Sequence, residues 1–479
     1  MKVETMPFSR RRMLSATAAG LAFGGLSRHV AAQAPSPQAV GYASDVFGYG
    51  PLVGDPAGLF DLPQGFRYSV VSKAGEAMSD GLVVPGKMDG MGCFPLDERR
   101  VVLVRNHECK HFDGDIGPYG AGMPLAAKVP REMIYDFDDA GRPLVGGTTT
   151  LIYDLKARRL ESQFLSLTGT STNCSGGVTP WGSWLSCEET TETAGLEIGK
   201  DHGFVFEVPS AARGLVAPTP LKAMGRFRHE AACIDPRTGV VYMTEDEGDG
   251  QGLFYRFLPD DRTALHKGGR LQALGLKARP TDGDLRNWLQ TDWSPGDRRE
   301  VVWIDLDGVD NPYGDLRYRG HAAGGAWIAR GEGVFFSEGG VFIASTDGGP
   351  SKLGQILRYR PSPAEGQPGE KDEPGVLELF LQPTDPARLE MGDNIAVAPW
   401  GHLFICEDKQ NGINLLRAVT PEGKIYTVAR NAAIGGGDVG FNSELAGVCF
   451  SPGGETLFVN IYRPGITLAV TGPWNRFRT

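Results

Sequence analysis

Six segments of the chain share one design. Each has a small or polar opening, an apolar strand, a tight turn, and a second apolar strand ending on polar or acidic residues. They are DGMGCFPLDERRVVLVRNHE (89–108), NCSGGVTPWGSWLSCEE (173–189), HEAACIDPRTGVVYMTEDE (229–247), HAAGGAWIARGEGVFFSEGG (321–340), DNIAVAPWGHLFICED (393–408) and ELAGVCFSPGGETLFVNIYRPG (444–465). A hairpin of this kind cannot bury its apolar face alone, so a repeated array must stack its copies into a shared core. Asp97-Glu98, Trp181-Gly182, Thr238-Gly239, Glu332-Gly333, Trp400-Gly401 and Gly453-Gly454 stand where each hairpin reverses. Further strands follow several units, as in HGFVFEVP (202–209), GLFYRFLP (252–259) and GQILRYRP (354–361). About four strands per unit in six units predict an all-β fold, a six-bladed β-propeller with irregular loop insertions. A large β-sandwich is the alternative. The 67 glycines and 33 prolines in 479 residues suit many short strands joined by turns. The expected division is a leader over 1–34, a lead segment over 35–60 and a single propeller domain over 61–479.

The leader carries Ser9-Arg10-Arg11-Arg12-Met13-Leu14, a mildly apolar run from Ala16 to Leu26, and the small-residue segment Val30-Ala31-Ala32-Gln33-Ala34. This resembles a twin-arginine signal peptide and implies export of an already folded chain. No later run approaches the ~18 apolar residues of a membrane span. The expectation is a periplasmic or secreted, monomeric protein whose export partner is the twin-arginine machinery. The net charge of -10 argues against a nucleic-acid partner. The seven cysteines are odd in number and form no C-x-x-C pair, which argues against a disulfide framework.

In a propeller, the first strand of every blade lines one central channel, so equivalent positions converge. The openings carry Asp89, Cys174, Glu230, His321, Asp393-Asn394 and Glu444. The second strands end on Glu108, Glu188-Glu189, Glu245-Asp246-Glu247, Glu338, Glu407-Asp408 and Asn460. Crowded carboxylates raise each other's pKa and repel, a cost that polyvalent cations remove. Carboxylate and amide oxygens suit calcium, magnesium or manganese; a thiolate among them points to a transition metal. Cys174, in a polar and glycine-flanked opening, is the candidate thiolate ligand, with Glu188 or Glu189 beside it. Cys93, Cys187, Cys233, Cys406 and Cys449 sit inside apolar strands and read as small buried residues. His107 and His229 each precede a Glu and are candidate substrate or supporting groups. Trp181, Trp184, Trp327 and Trp400 read as core between blades. The glycine-rich IGGGDVG (434–440) has no following helix to cradle phosphate and reads as a flexible loop.

The motifs NHE, NCSGG…PWGSWLSCEE, GRFRHEAA with VVYMTEDEG, DNIAVAPWGHLFICED and ETLFVNIYRPG resemble those of the PhoX-type alkaline phosphatases across most of the chain. The resemblance implies a six-bladed, exported propeller that hydrolyses phosphomonoesters with a cluster of iron and calcium, one iron ligand being a cysteine. Carried over by motif, Cys174 matches that cysteine; Glu188 or Glu189, Glu230 and Glu338 match acidic ligands; Asp393 and Asn394 supply oxygen atoms. Glu108 and Glu444 complete the candidate set by position. The resemblance also implies a basic side chain near the acidic residue of the fourth unit, but Glu338 follows Phe335-Phe336-Ser337, with no Arg or Lys. Arg105, Arg228, His229, Lys409 and Arg463 are the candidate substrate-binding groups. The expected activity is metal-assisted hydrolysis of a small phosphoester by a bound oxide or hydroxide. The alternatives are a calcium-dependent lactonase or esterase propeller, and a non-catalytic metal-binding propeller.

Overall fold

The computed structural model describes residues 41–289, 291–410, 412–433 and 443–479. The leader, the start of the lead segment and the glycine-rich stretch 434–440 lie outside the described residues. Tyr42–Thr479 form one compact unit. The fold is an all-β propeller. Its six inner hairpins pair Met88–Pro95 with Arg100–His107, Asn173–Val178 with Ser183–Glu188, His229–Ile234 with Val241–Glu245, Gly331–Ser337 with Gly340–Ser345, Gly392–Val397 with Leu403–Glu407, and Leu445–Phe450 with Thr456–Ile461. We number the blades 1 to 6 in this order. Blades 3 and 4 join through the long strand Arg298–Asp305 into one nine-stranded sheet. Five of the six predicted reversals fall at turns.

The fourth is corrected. The expected hairpin from His321 with a turn at Glu332-Gly333 is shifted: His321 lies in an α-helix, Leu316–Ala322, and the reversal falls at Glu338-Gly339. Gly333 resembled a turn glycine, yet it sits within the inner strand. A Cβ there would lie 2.7 Å from the Asp393 carbonyl oxygen of blade 5, so the glycine serves close approach between blades.

The ring closes by sharing strands between distant parts of the chain. Arg67–Lys73 forms the outer edge of blade 6, antiparallel to Ile466–Thr471. Leu52–Val53 and Phe60–Pro63 extend blade 5 outward. The lead segment from residue 42 onward is therefore part of the propeller unit, and the expected boundary at 60/61 does not divide it. Tyr49, Phe66, Trp400, Phe450, Trp474 and Phe477 pack edge-to-face around this seam, with Tyr49 to Phe66 centroids 5.1 Å apart.

Every inner strand carries a register shift near its start: between Met88 and Met91, Asn173 and Gly176, His229 and Ala232, Gly331 and Val334, Gly392 and Ile395, and Ala446 and Cys449. Such bulges re-aim side chains. Small residues let neighbouring blades touch below them. A Cβ on Gly177 would lie 2.0 Å from the Ala232 carbonyl oxygen, where backbone faces backbone and neither can yield. Gly177→Ala is expected to cost about 3 kcal/mol, as overpacking of a rigid contact does, measured as a lowered midpoint of thermal unfolding.

Candidate metal centre

The six bulges set out three tiers of side chains around the channel. The residue after the terminal pair of each inner hairpin forms the lowest tier: Asp89, Cys174, Glu230, Glu332, Asp393 and, in blade 6, where it is still paired, Ala446. Two residues earlier stand Lys87, Thr172, Arg228, Arg330, Met391 and Glu444. Each of these accepts a backbone hydrogen bond from the residue that follows the second strand, namely Glu108, Glu189, Asp246, Thr346, Asp408 and Tyr462, at 2.8 to 3.3 Å. The backbone geometry is thus sixfold while the side chains differ from blade to blade. Lys87, Thr172, Arg330 and Met391 adopt φ between 45° and 53°, a region that residues with a Cβ seldom enter.

Two groups could each hold a cation. Cys174, Glu189 and Glu230 place ligand atoms within 4.8 Å of one another, as do Glu230, Glu332 and Asp393. Glu230 belongs to both. Apart from the thiol and carboxyl groups of the centre itself, no donor among the described residues serves either oxygen of Glu230 or Oδ1 of Asp393. The Cys174 thiol points to Asp89 Oδ2 at 3.6 Å. Burial, then the charges of Asp393 and Glu189, pushes the Glu230 carboxyl well above the usual range. Burial and Glu108 do the same to Asp89, and burial and Asp246 to Glu332. Burial and Asp408 bring Asp393 to about 7. Burial takes Glu189 to about 8 although Arg228 opposes it. Cys174 rises with burial and the nearby Asp89. Buried acids left without donors fit a cation site, because a bound cation reverses this electrostatic cost.

The structure separates the adjacent glutamates. Successive strand residues face opposite sides. Glu188 turns into the blade, where it accepts from His202 Nδ1 at 2.6 Å and from the backbone N–H groups of Ser171, Gly203 and Phe204 at 2.9 to 3.1 Å. Glu189 turns to the channel. The same division holds for Glu245 and Asp246, and for Glu407 and Asp408: the first acid ties down the following loop, and the second joins the upper tier. Glu245 accepts from Leu253 N and Tyr255 Oη, and Glu407 from Leu415 N and Arg417 Nε.

Among the other candidates, Glu108 reaches the mouth and accepts from the Tyr462 hydroxyl. Glu444 approaches from the blade 6 opening, and burial and Asp408 raise its carboxyl. Asn394 bridges blades instead of facing the acids: its Nδ2 donates to Ser175 Oγ at 3.1 Å and its Oδ1 accepts from Gly447 N at 3.0 Å. Glu338 is a correction. It sits exposed in the reversing turn, six residues beyond Glu332 and roughly 20 Å along the strand. The acid that blade 4 brings to the centre is Glu332.

The basic residues sort likewise. Arg228, Arg330 and Lys409 line one cleft of about 640 Å³ at the mouth, with Asp246, Asp347 and Glu390. Arg228 pairs with Glu189 and donates from Nε to the Asp246 carbonyl at 2.8 Å. Arg330 grips Asp246 through two bonds at 2.8 and 3.0 Å and reaches Glu332 at 3.0 Å. Lys409 Nζ lies 2.8 Å from Glu407. Arg463 is exposed, over the Tyr462 ring. Arg105 and His229 are corrections, since both are fully buried behind the channel wall. Arg105 donates to Thr467 and Thr149, and His229 Nε2 meets the Gly225 carbonyl at 3.0 Å. His107 is held in the same manner by Gly86 O and Thr149 Oγ1.

Arg330 and Glu332 were missed in the sequence, although a signal exists. Arg330-Gly331-Glu332 repeats the spacing of Arg228-His229-Glu230 and of Lys87-Met88-Asp89. Aligning these triplets corrects the fourth unit and supplies the basic side chain that seemed lacking there.

Burial alone would lower the His202 pKa, but Glu188 and Asp136 raise it from 6.5 to about 9. Because the folded value is the higher one, this contribution to stability is complete below pH 6.5 and fades as pH rises through 9. The thermal midpoint is expected to decline across that interval, and the decline to flatten in His202→Gln. Glu188→Gln is expected to cost about 3–5 kcal/mol, whereas Glu189→Gln leaves the midpoint of the metal-free protein nearly unchanged.

The family model for alkaline phosphatase PhoX matches residues 47–465. The chain belongs to this family. No protein of curated function matches it. Among solved structures, Pseudomonas fluorescens PhoX in complex with vanadate, described as a transition state analogue, is similar at TM-score 0.63 and 19% identity, covering 90% of this chain and 98% of that one. The periplasmic gluconolactonase PpgL of Pseudomonas aeruginosa matches at TM-score 0.39 and 13% identity, over 86% and 94% of the two chains. A putative gluconolactonase matches at TM-score 0.37 and 11% identity, over 88% and 96%.

Proposed function

We propose that this member of the alkaline phosphatase PhoX family is an exported, metal-dependent phosphomonoesterase. One observation supports it above the rest: buried Glu230, without donors outside the centre, is shared by a thiol-containing group and an all-carboxylate group directly beneath Arg228 and Arg330. By donor chemistry, iron suits Cys174, Glu189 and Glu230, and calcium suits Glu230, Glu332 and Asp393. When bound, such ions supply charge neutralisation and Lewis acidity to the phosphoryl oxygens.

The chain's own residues bind and orient the ester. Guanidinium groups match phosphate geometry with paired donors. Asp246 fixes the angle of both guanidiniums: its carboxylate holds Arg330 and its carbonyl holds Arg228. Lys409, paired with Glu407, adds a positive charge on the blade 5 side. The open cleft beside them, lined also by Asp347 and Glu390, leaves room for the leaving group. The resemblance of the start of the sequence to a twin-arginine signal and the family membership support export. Among the described residues, no helix is long and apolar enough to cross a membrane.

The test is elemental analysis of the protein purified after export, together with turnover of p-nitrophenyl phosphate. Iron and calcium are expected with activity. Cys174→Ser is expected to lose the iron, and Arg330→Ala about 10²-fold in kcat/KM, the scale for a donor aimed at developing charge. Metal-loaded protein inert towards phosphomonoesters and diesters would overturn the proposal.

A further inference from the structure

We propose that the far half of the central channel is a second ligand site, which takes one small, neutral and mainly apolar molecule. The chamber begins just below the lowest tier and runs to the opposite end of the inner strands, with every blade contributing to its wall. Its volume is about 320 Å³, roughly twice the ~150 Å³ of an engineered apolar cavity that binds benzene. A two-ring aromatic or a chain of about ten carbons matches that space, which falls in the range of ordinary small-molecule sites.

The lining sets the chemistry. Val178, Trp184, Val334, Phe335, Phe336 and Val448 supply apolar surface from three blades. Among the described residues, no Asp, Glu, Lys or Arg lines the chamber. Its polar side chains are already engaged within the protein: Ser175 Oγ accepts from Asn394 at 3.1 Å, Thr179 Oγ1 meets Ser183 Oγ at 2.8 Å, and Trp184 Nε1 donates to Asn106 at 2.9 Å. A charged guest would find no counter-charge in the wall, whereas an apolar one gains by leaving water. Val178 is 44% exposed, an apolar side chain at the entrance. The hydrogen bonds of Asn394 to Ser175 and Gly447 span blades 5, 2 and 6 between this chamber and the acids above it. A guest here is therefore physically distinct from a substrate at the opposite mouth, and the proposal stands whether or not that mouth hydrolyses phosphoesters.

N-phenyl-1-naphthylamine, which fluoresces in apolar surroundings, is the probe, titrated into the metal-loaded protein. Saturable binding of one molecule per chain is expected, unchanged by saturating inorganic phosphate. Affinity should fall at least tenfold in Val334→Trp, which fills the chamber, and in Val178→Asp, which charges its entrance. Val178 is exposed, so the second variant keeps its fold even if the first does not. Binding that does not saturate, that phosphate displaces, or that Val178→Asp leaves unaltered would overturn the proposal.

Discussion

The close approach of six inner strands around one axis is the constraint on which the rest depends. Cβ atoms on Gly90, Gly333 and Gly447 would lie 2.5, 2.7 and 2.4 Å from backbone atoms of Ser175, Asp393 and Asp89 in the neighbouring blades. Where these glycines would not suffice, Asn394 spans the gap by hydrogen bonding to two blades. This tightness brings side chains separated by hundreds of residues within ligand distance. It also excludes the water that would otherwise solvate them, so the acids are costly until a cation joins them. Packing and charge are therefore opposed at this point. The fold can hold the centre open because its stability is built elsewhere, in the apolar layers between blades and in the aromatic seam of blades 5 and 6.

Alternation along the second strands divides the labour among the acids. Glu188, Glu245 and Glu407 are satisfied by donors inside their own blades and fix the loops that follow. Their successors, Glu189, Asp246 and Asp408, are thereby aimed into the channel. A pair of adjacent carboxylates is not redundancy: one is an anchor whose partners are protein groups, and the other is presented to whatever enters. The left-handed backbone at Lys87, Thr172, Arg330 and Met391 belongs to the same design, since it turns the chain so that the upper tier can bond back to it.

Much of this was legible in the sequence because strand period, turn chemistry and repeat length are local properties. The inner hairpins of blades 1, 2, 3, 5 and 6 follow from alternating apolar residues and from turn pairs such as Trp181-Gly182. Cys174 stood out by its polar setting. The fourth unit failed because a glycine has two uses that look alike in sequence. Gly333 allows close contact between blades, and its resemblance to a turn moved the expected acid from Glu332 to Glu338. Arg105 and His229 failed for another reason: each stands an odd number of residues from the acid that faces the channel, Glu108 and Glu230 respectively, so strand alternation turns it into the blade.

The strand Arg67–Lys73, which completes blade 6 beside Ile466–Thr471, has a consequence for the order of assembly. The ring cannot close until Ile466–Thr471 has been made, because its final sheet pairs that strand with Arg67–Lys73. Blades 1 to 5 can form during synthesis as successive local hairpins, but the convergence that builds the centre waits for this long-range pairing. An intact ring is thus a sign that Arg67–Lys73 and Ile466–Thr471 have met.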